Sequence, residues 1–204
     1  MERAGLSLRR LAGLDRSAAA PPQTLPGQPL RVWTIPNAIG FARLGLIPVF
    51  LVLGLTSDGG TGFWPAFVFA VIAWGDYADG IAARLTGQYS RFGTLLDPAV
   101  DRLMVVAGLV VCWKFETLPR WAIAIFVARE LLLLFAGQLA VRRSIPITIN
   151  WWGRLGVWPT MAGIFFALAG VEELAVPLFL AGLAMALVAA ALYFGRALAT
   201  RPST

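Results

Sequence analysis

Four aspartates stand in stretches where an aspartate is costly. Asp76 and Asp79, and then Asp97 and Asp101, interrupt runs that are otherwise apolar. Residues three or four apart share a helix face, so each pair presents its carboxylates to one side. Like charges that converge in a low dielectric repel strongly unless a cation neutralises them. The chain narrows the choice of cation, because it holds no histidine and a single cysteine, Cys112. An oxygen-only donor set suits a hard divalent ion, Mg²⁺ or Mn²⁺, better than zinc. A carboxylate-held ion beside a spare carboxylate can neutralise a diphosphate, align an attacking oxygen and remove its proton. Histidine-based acid–base or nucleophilic chemistry is excluded. Small residues accompany the acids: Gly75, Ala78, Gly80, Ala82 and Ala83, with Gly93 one turn before Asp97. They let helices approach closely or leave room for a bulky polar substrate. In a purely structural alternative, the aspartates pair with Arg84, Arg91 or Arg102 and tie helices together.

The elements that must position these acids follow from composition. Of 204 residues, 58% are apolar and 14% charged, where a soluble domain carries about a quarter charged. This excludes an ordinary cytosolic enzyme, a disordered chain and a disulfide scaffold. A helix needs about 20 mostly apolar residues to cross a bilayer. Six stretches qualify, at roughly 34–56, 62–84, 93–113, 119–141, 153–171 and 174–197. The expected fold is an all-α integral membrane protein of six transmembrane helices. It divides into a cytoplasmic N-terminal tail, 1–32, mobile or lying on the membrane surface, and a catalytic membrane domain, 33–199.

Basic residues set the orientation. Arg3, Arg9, Arg10, Arg16 and Arg31 lie in the tail, Arg84 and Arg91 after the second span, Arg142, Arg143 and Arg154 around the fourth-to-fifth connection, and Arg196 and Arg201 at the end. The opposite connections hold Lys114 and Arg120. Both termini are therefore expected in the cytoplasm. The net charge of +6 reads as this positive-inside bias, with no nucleic-acid partner. Counted from the outer ends of their spans at ~1.5 Å per residue, Asp76 and Asp79 lie ~18 and ~22 Å inward, and Asp101 and Asp97 ~20 and ~26 Å. Two antiparallel helices thus carry the four carboxylates at nearly one level, in the cytoplasmic half.

The run Asp76-x2-Asp79-Gly80-x2-Ala83-Arg84-x8-Gly93-x3-Asp97-x3-Asp101 resembles the signature of the CDP-alcohol phosphotransferases, also called CDP-alcohol phosphatidyltransferases. The six-span layout extends the likeness from about Thr34 onward. The resemblance implies that Asp76, Asp79 and Asp97 hold a pair of divalent ions that grips the diphosphate of a CDP-linked donor. It implies that Asp101 also reaches metal and serves as the base, and that Gly80, Ala83 and Arg84 line the cytidine and phosphate pocket. It further implies CDP-diacylglycerol as donor, a homodimer, and a bacterial cytoplasmic membrane with the site facing the cytosol.

The segment Thr34-Ile35-Pro36-Asn37, with Arg43 six residues on, is similar to the start of the phosphatidylglycerophosphate and cardiolipin synthase branch. Asn37 can contact the CDP moiety or act as a simple helix cap. Arg43, buried in an apolar span, needs a carboxylate or phosphate partner. Arg142, Arg143 and Arg154 can bind an acceptor phosphate through forked hydrogen bonds or serve only as positive-inside charges. The family usually places Lys after Gly at the fifth-helix entry, and this chain has Gly153-Arg154. Arg129 and Glu130 are adjacent on the fourth span and diverge by about 100°, so they cannot fully share one site. The expected reaction is transfer of a phosphatidyl group from CDP-diacylglycerol to glycerol 3-phosphate. Cardiolipin synthesis from phosphatidylglycerol and phosphatidylinositol phosphate synthesis are alternatives within the family, and divalent-cation transport is the alternative outside it.

Overall fold

The computed structural model describes the backbone of residues 27, 29–142 and 151–199, and the side chains of 27, 29–138, 156–193 and 195. Most of the expected tail therefore lies outside the described residues, as does Arg143. Among the described residues the chain is helical, without strands: α1 (Ile35–Thr56), α2 (Phe63–Thr86), α3 (Gly93–Phe115), α4 (Arg120–Arg142), α5 (Trp151–Leu168) and α6 (Glu172–Ala199), with a short 3-10 turn at Asp58–Gly60. Among the described residues four segments are long and apolar enough to cross a membrane: Ile35–Thr56, Asp58–Thr86, Arg120–Gln138 and Glu172–Tyr193. α3 falls short because Asp97, Asp101 and Arg102 raise its polarity, and on α5 the part whose side chains are described, Gly156–Leu168, is apolar.

The helices form two compact units. One comprises the chain up to Leu53 together with Phe67–Ala107, the other Gly54–Ala66 together with Gly108 onward. In the first unit α1 starts at Thr34, whose side-chain oxygen accepts the Asn37 N–H and whose carbonyl accepts that of Ala38. This is an N-cap, and Pro36 sits in the first turn, where its missing N–H costs nothing. Phe50, Phe69, Ile72, Val100 and Met104 are fully buried, and the Phe50 and Phe69 rings lie 5.5 Å apart. α1 and α3 approach closely at Gly40, where a Cβ would stand 2.8 Å from Leu96 Cδ2. Trp33, Val52, Trp74 and Leu103 face outward, an arrangement that suits hydrocarbon and not water.

In the second unit α5 and α6 pack along each other through small residues. Gly156, Thr160 and Gly163 on α5 meet Phe179, Gly182 and Met185 on α6. This spacing of small residues brings backbones together where apolar burial gives little driving force between helices. The Thr160 hydroxyl, buried in the seam, donates to the Gly156 carbonyl one turn back. Ala167, Ala186, Ala189 and Ala190 are buried within the chain.

α5 ends at Leu168, before the expected boundary at 171. The cause is Gly170, with φ +77, whose N–H bonds the Ala167 carbonyl while that of Val171 bonds Phe166. This paired arrangement is a Schellman stop, and the apolar Ala169 and Val171 around it mask it in a reading by hydropathy. Arg129 and Glu130 also depart from expectation. Their side chains pair directly, and Arg129 Nε reaches the Ala186 carbonyl of α6 at 3.2 Å. The long arginine stem bends back across the angle that separates adjacent residues, so one guanidinium serves both contacts.

Candidate active site

All the acids of the motif lie in the first unit, on α2 and α3. A spacing of three residues on α2 puts Asp76 and Asp79 on one face, and a spacing of four on α3 does the same for Asp97 and Asp101. Each of the four is within electrostatic reach of at least two others. The expected convergence is therefore present. At its centre is Arg43 of α1, 2% exposed. Its Nη2 donates to Asp101 Oδ1 at 2.6 Å, its Nη1 to Asp79 Oδ2 at 2.9 Å and to Asp76 Oδ1 at 3.4 Å, and its Nε to the Ile72 carbonyl at 2.9 Å.

Burial of the acids is uneven. The Asp79 side chain is 7% exposed, against 51% for Asp76 and 42% for Asp101. Asp79 is thus an interior anchor, while Asp76 and Asp101 are reachable by a substrate. Asp97 stands beside Gly40, whose Cβ would lie 4.0 Å from its Oδ1. The arginines named in the structural alternative are not the ones holding these contacts. Arg43, on a third helix and 33 to 58 residues away in the chain, takes that place.

Four carboxylates without histidine or thiolate are a donor set that fits a hard divalent cation. In the present arrangement no three acidic or thiol groups among the described residues enclose a common ion position. Asp76, Asp79 and Asp101 turn one oxygen each toward Arg43 and keep the other available.

The loop before α3 is fixed by Asn37 together with Ser90 and Gln88, which the sequence did not single out. Ser90 Oγ donates to Asn37 Oδ1 at 3.0 Å and accepts the Gly93 N–H at 2.9 Å, capping α3. Gln88 Oε1 accepts the Ile35 N–H, and the Phe92 N–H bonds the Leu30 carbonyl. Asn37 gives its amide hydrogens to the Arg31 and Val32 carbonyls, at 3.1 and 2.8 Å. Its side-chain polar atoms thus bond the chain, and it braces the loop, where a contact to the CDP moiety or a simple helix cap was expected. A serine three residues before a glycine at a helix start was the readable signal for Ser90.

The same geometry explains Gly93. A Cβ there would stand 2.8 Å from Asn37 Oδ1 and 3.1 Å from Ser90 Oγ. Gly93→Ala should separate this pair, costing about 1–3 kcal/mol as other overpacked sites do. The check is a lower melting temperature together with slower turnover, since α3 would shift with Asp97 and Asp101 on it. A variant that melts and turns over like the wild type would contradict the brace.

Gly80 and Arg84 lie one turn apart on α2. The Arg84 guanidinium folds over Gly80, with Nη1 3.3 Å from where a Cβ would be. Together with Ala83 they form a low, cationic surface on the helix that carries Asp76 and Asp79. Of the acceptor candidates, Arg142 and Arg154 fall on α4 and α5, but their side chains, like all of Arg143, lie outside the described residues.

The sequence pattern of CDP-alcohol phosphatidyltransferase matches residues 33–195. A Streptomyces coelicolor protein named cardiolipin synthase (CMP-forming) is 39% identical over 140 residues, covering 64% of this chain and 63% of its own length. A Bacillus subtilis protein named CDP-diacylglycerol–glycerol-3-phosphate 3-phosphatidyltransferase is 28% identical over 145 residues, covering 65% and 75%. A Haemophilus influenzae protein of the same name is 30% identical over 146 residues, covering 68% and 75%. The chain spans slightly less than two thirds of the length of the Streptomyces relative.

Proposed function

Since the chain belongs to the CDP-alcohol phosphatidyltransferase family, we propose that it moves the phosphatidyl group of CDP-diacylglycerol onto an alcohol and releases CMP. The observation that carries this reading is the meeting of Asp76, Asp79, Asp97 and Asp101 around Arg43 on three helices. In this reading the chain crosses a bacterial cytoplasmic membrane six times, with both termini and the site on the cytosolic side, and acts as a homodimer. A donor that is half lipid and half nucleotide accounts for a phosphate site inside a membrane domain.

Asp76, Asp79, Asp97 and Asp101 would hold a Mg²⁺ or Mn²⁺ pair. When bound, such a pair neutralises the diphosphate and the charge that builds on the leaving CMP. Asp101 takes the proton of the acceptor hydroxyl. Arg43 Nη2 holds its Oδ1, so the partly exposed carboxylate keeps Oδ2 for that proton. The acceptor oxygen then forms a bond to the phosphatidyl phosphorus as the bond from that phosphorus to the CMP oxygen breaks. Gly80 and Ala83 give the donor close access to α2, and Arg84 supplies a cation to its phosphates. Asn37 acts one layer back, by holding the loop that starts α3.

Glycerol 3-phosphate, the acceptor expected from the sequence, remains one reading. In it Arg142, Arg143 and Arg154 bind the acceptor phosphate. A second reading, phosphatidylglycerol as acceptor, is supported by the name of the Streptomyces relative. It needs no additional cationic pocket. Purified protein with labelled CDP-diacylglycerol and Mn²⁺, offered glycerol 3-phosphate, phosphatidylglycerol or inositol phosphate, should release CMP with one of the three. The acceptor that works decides between the readings, and separate substitution of the three arginines should raise the acceptor KM only if that acceptor is a phosphorylated polyol, glycerol 3-phosphate or inositol phosphate, and not phosphatidylglycerol. No release with any of them overturns phosphatidyl transfer.

A further inference from the structure

We infer that Arg43 is the resident cation of the carboxylate cluster, a positioning residue that holds Asp76, Asp79 and Asp101 together before a divalent ion arrives. The inference rests on the proposed function in taking those acids as ion ligands. Arg43 is buried, and its charge is shared among several partners. Its planar fork bonds three carboxylates and a backbone carbonyl at once, which one ammonium group could not do with the same geometry.

The seat is built for it. A Cβ at Gly75 would stand 2.6 Å from Arg43 Cδ and 2.7 Å from Cγ. α2 therefore carries glycine where the arginine stem lies against it, and the Ile72 carbonyl just before takes the Nε hydrogen. This is a lock on the stem independent of the ion pairs.

Removing Arg43 would take away the guanidinium that bonds three of the four carboxylates and leave their mutual repulsion less screened. Folding should suffer most when no metal is present. A divalent ion should then restore much of what was lost, because the more negative cluster binds it more strongly and binding to the folded state stabilises it. Arg43 also takes one oxygen from each of three acids and leaves the other, so it orients them as partners behind metal ligands do.

The test is the melting temperature of the full chain in detergent, in EDTA and in increasing Mn²⁺. R43Q should melt at least about 5 °C below the wild type in EDTA, and Mn²⁺ should narrow that gap. R43K, which keeps the charge but not the fork, should fall between the two in EDTA, and it carries the test alone if R43Q cannot be purified. R43Q or R43K melting like the wild type in EDTA, or a gap that Mn²⁺ leaves unchanged, overturns the inference. If the wild type itself gains nothing from Mn²⁺, the metal reading of the site fails as well. A wild-type Mn²⁺ shift beside a constant gap sinks only the role of Arg43.

Discussion

Asp101→Asn should release CMP about 10²–10⁴-fold more slowly than the wild type, the range a positioned general base contributes. Asparagine has nearly the same shape, and its oxygen can still accept the Arg43 Nη2 hydrogen that Asp101 Oδ1 accepts at 2.6 Å. What it loses is the ability to take a proton and one negative charge toward an ion. The melting curve should therefore stay close to that of the wild type while turnover collapses. Measuring both on one preparation separates chemistry from folding. Undiminished CMP release would remove Asp101 from the base role. An equal loss in Asp76→Asn and Asp101→Asn would not by itself distinguish base from ligand. The pH dependence of the residual rate does so, because loss of the base removes the alkaline rise while loss of a ligand preserves it.

The second large effect concerns stability, in the other unit. Gly163→Val should destabilise the protein by about 1–3 kcal/mol or more, as inserting carbons into a packed seam does. A Cβ at Gly163 would stand 2.6 Å from the Phe179 backbone nitrogen and 2.8 Å from its Cα. Backbone cannot swing aside as a side chain can, so α5 and α6 would have to separate and lose the contacts along Gly156, Thr160 and Gly182. Gly163→Ala should show a smaller drop in melting temperature, giving a graded series. A valine variant that melts with the wild type would mean the helices do not cross there. Gly137, where a Cβ would meet nothing within 4 Å, is the control: Gly137→Ala should cost nothing measurable and can gain from the better helix propensity.

Much of the architecture was legible because each apolar run is long and its breaks are sharp. The stretches expected at 34–56, 62–84 and 93–113 carry α1, α2 and α3, with ends moved by no more than two residues. The fifth run was less well bounded because the Gly170 stop lies among apolar residues. Asn37 shows the limit for side chains. Its position at the start of α1 could be read, but whether its amide meets a nucleotide or the Arg31 and Val32 carbonyls depends on a loop returning from 53 residues away at Ser90.

The sequence by itself determined that Asp76 and Asp79 share one helix face and that Asp97 and Asp101 share another. Helical periodicity fixes which residues of one helix share a face, and a carboxylate in an apolar run has no inexpensive alternative to a shared site. Only the tertiary structure decided which cation answers them. Arg84, Arg91 and Arg102 are nearer along the chain, but local spacing cannot specify how α1 packs on α2 and α3. That packing, through Gly75 and Gly40, brings Arg43 into the cluster and lets one guanidinium bond three acids that lie on two other helices.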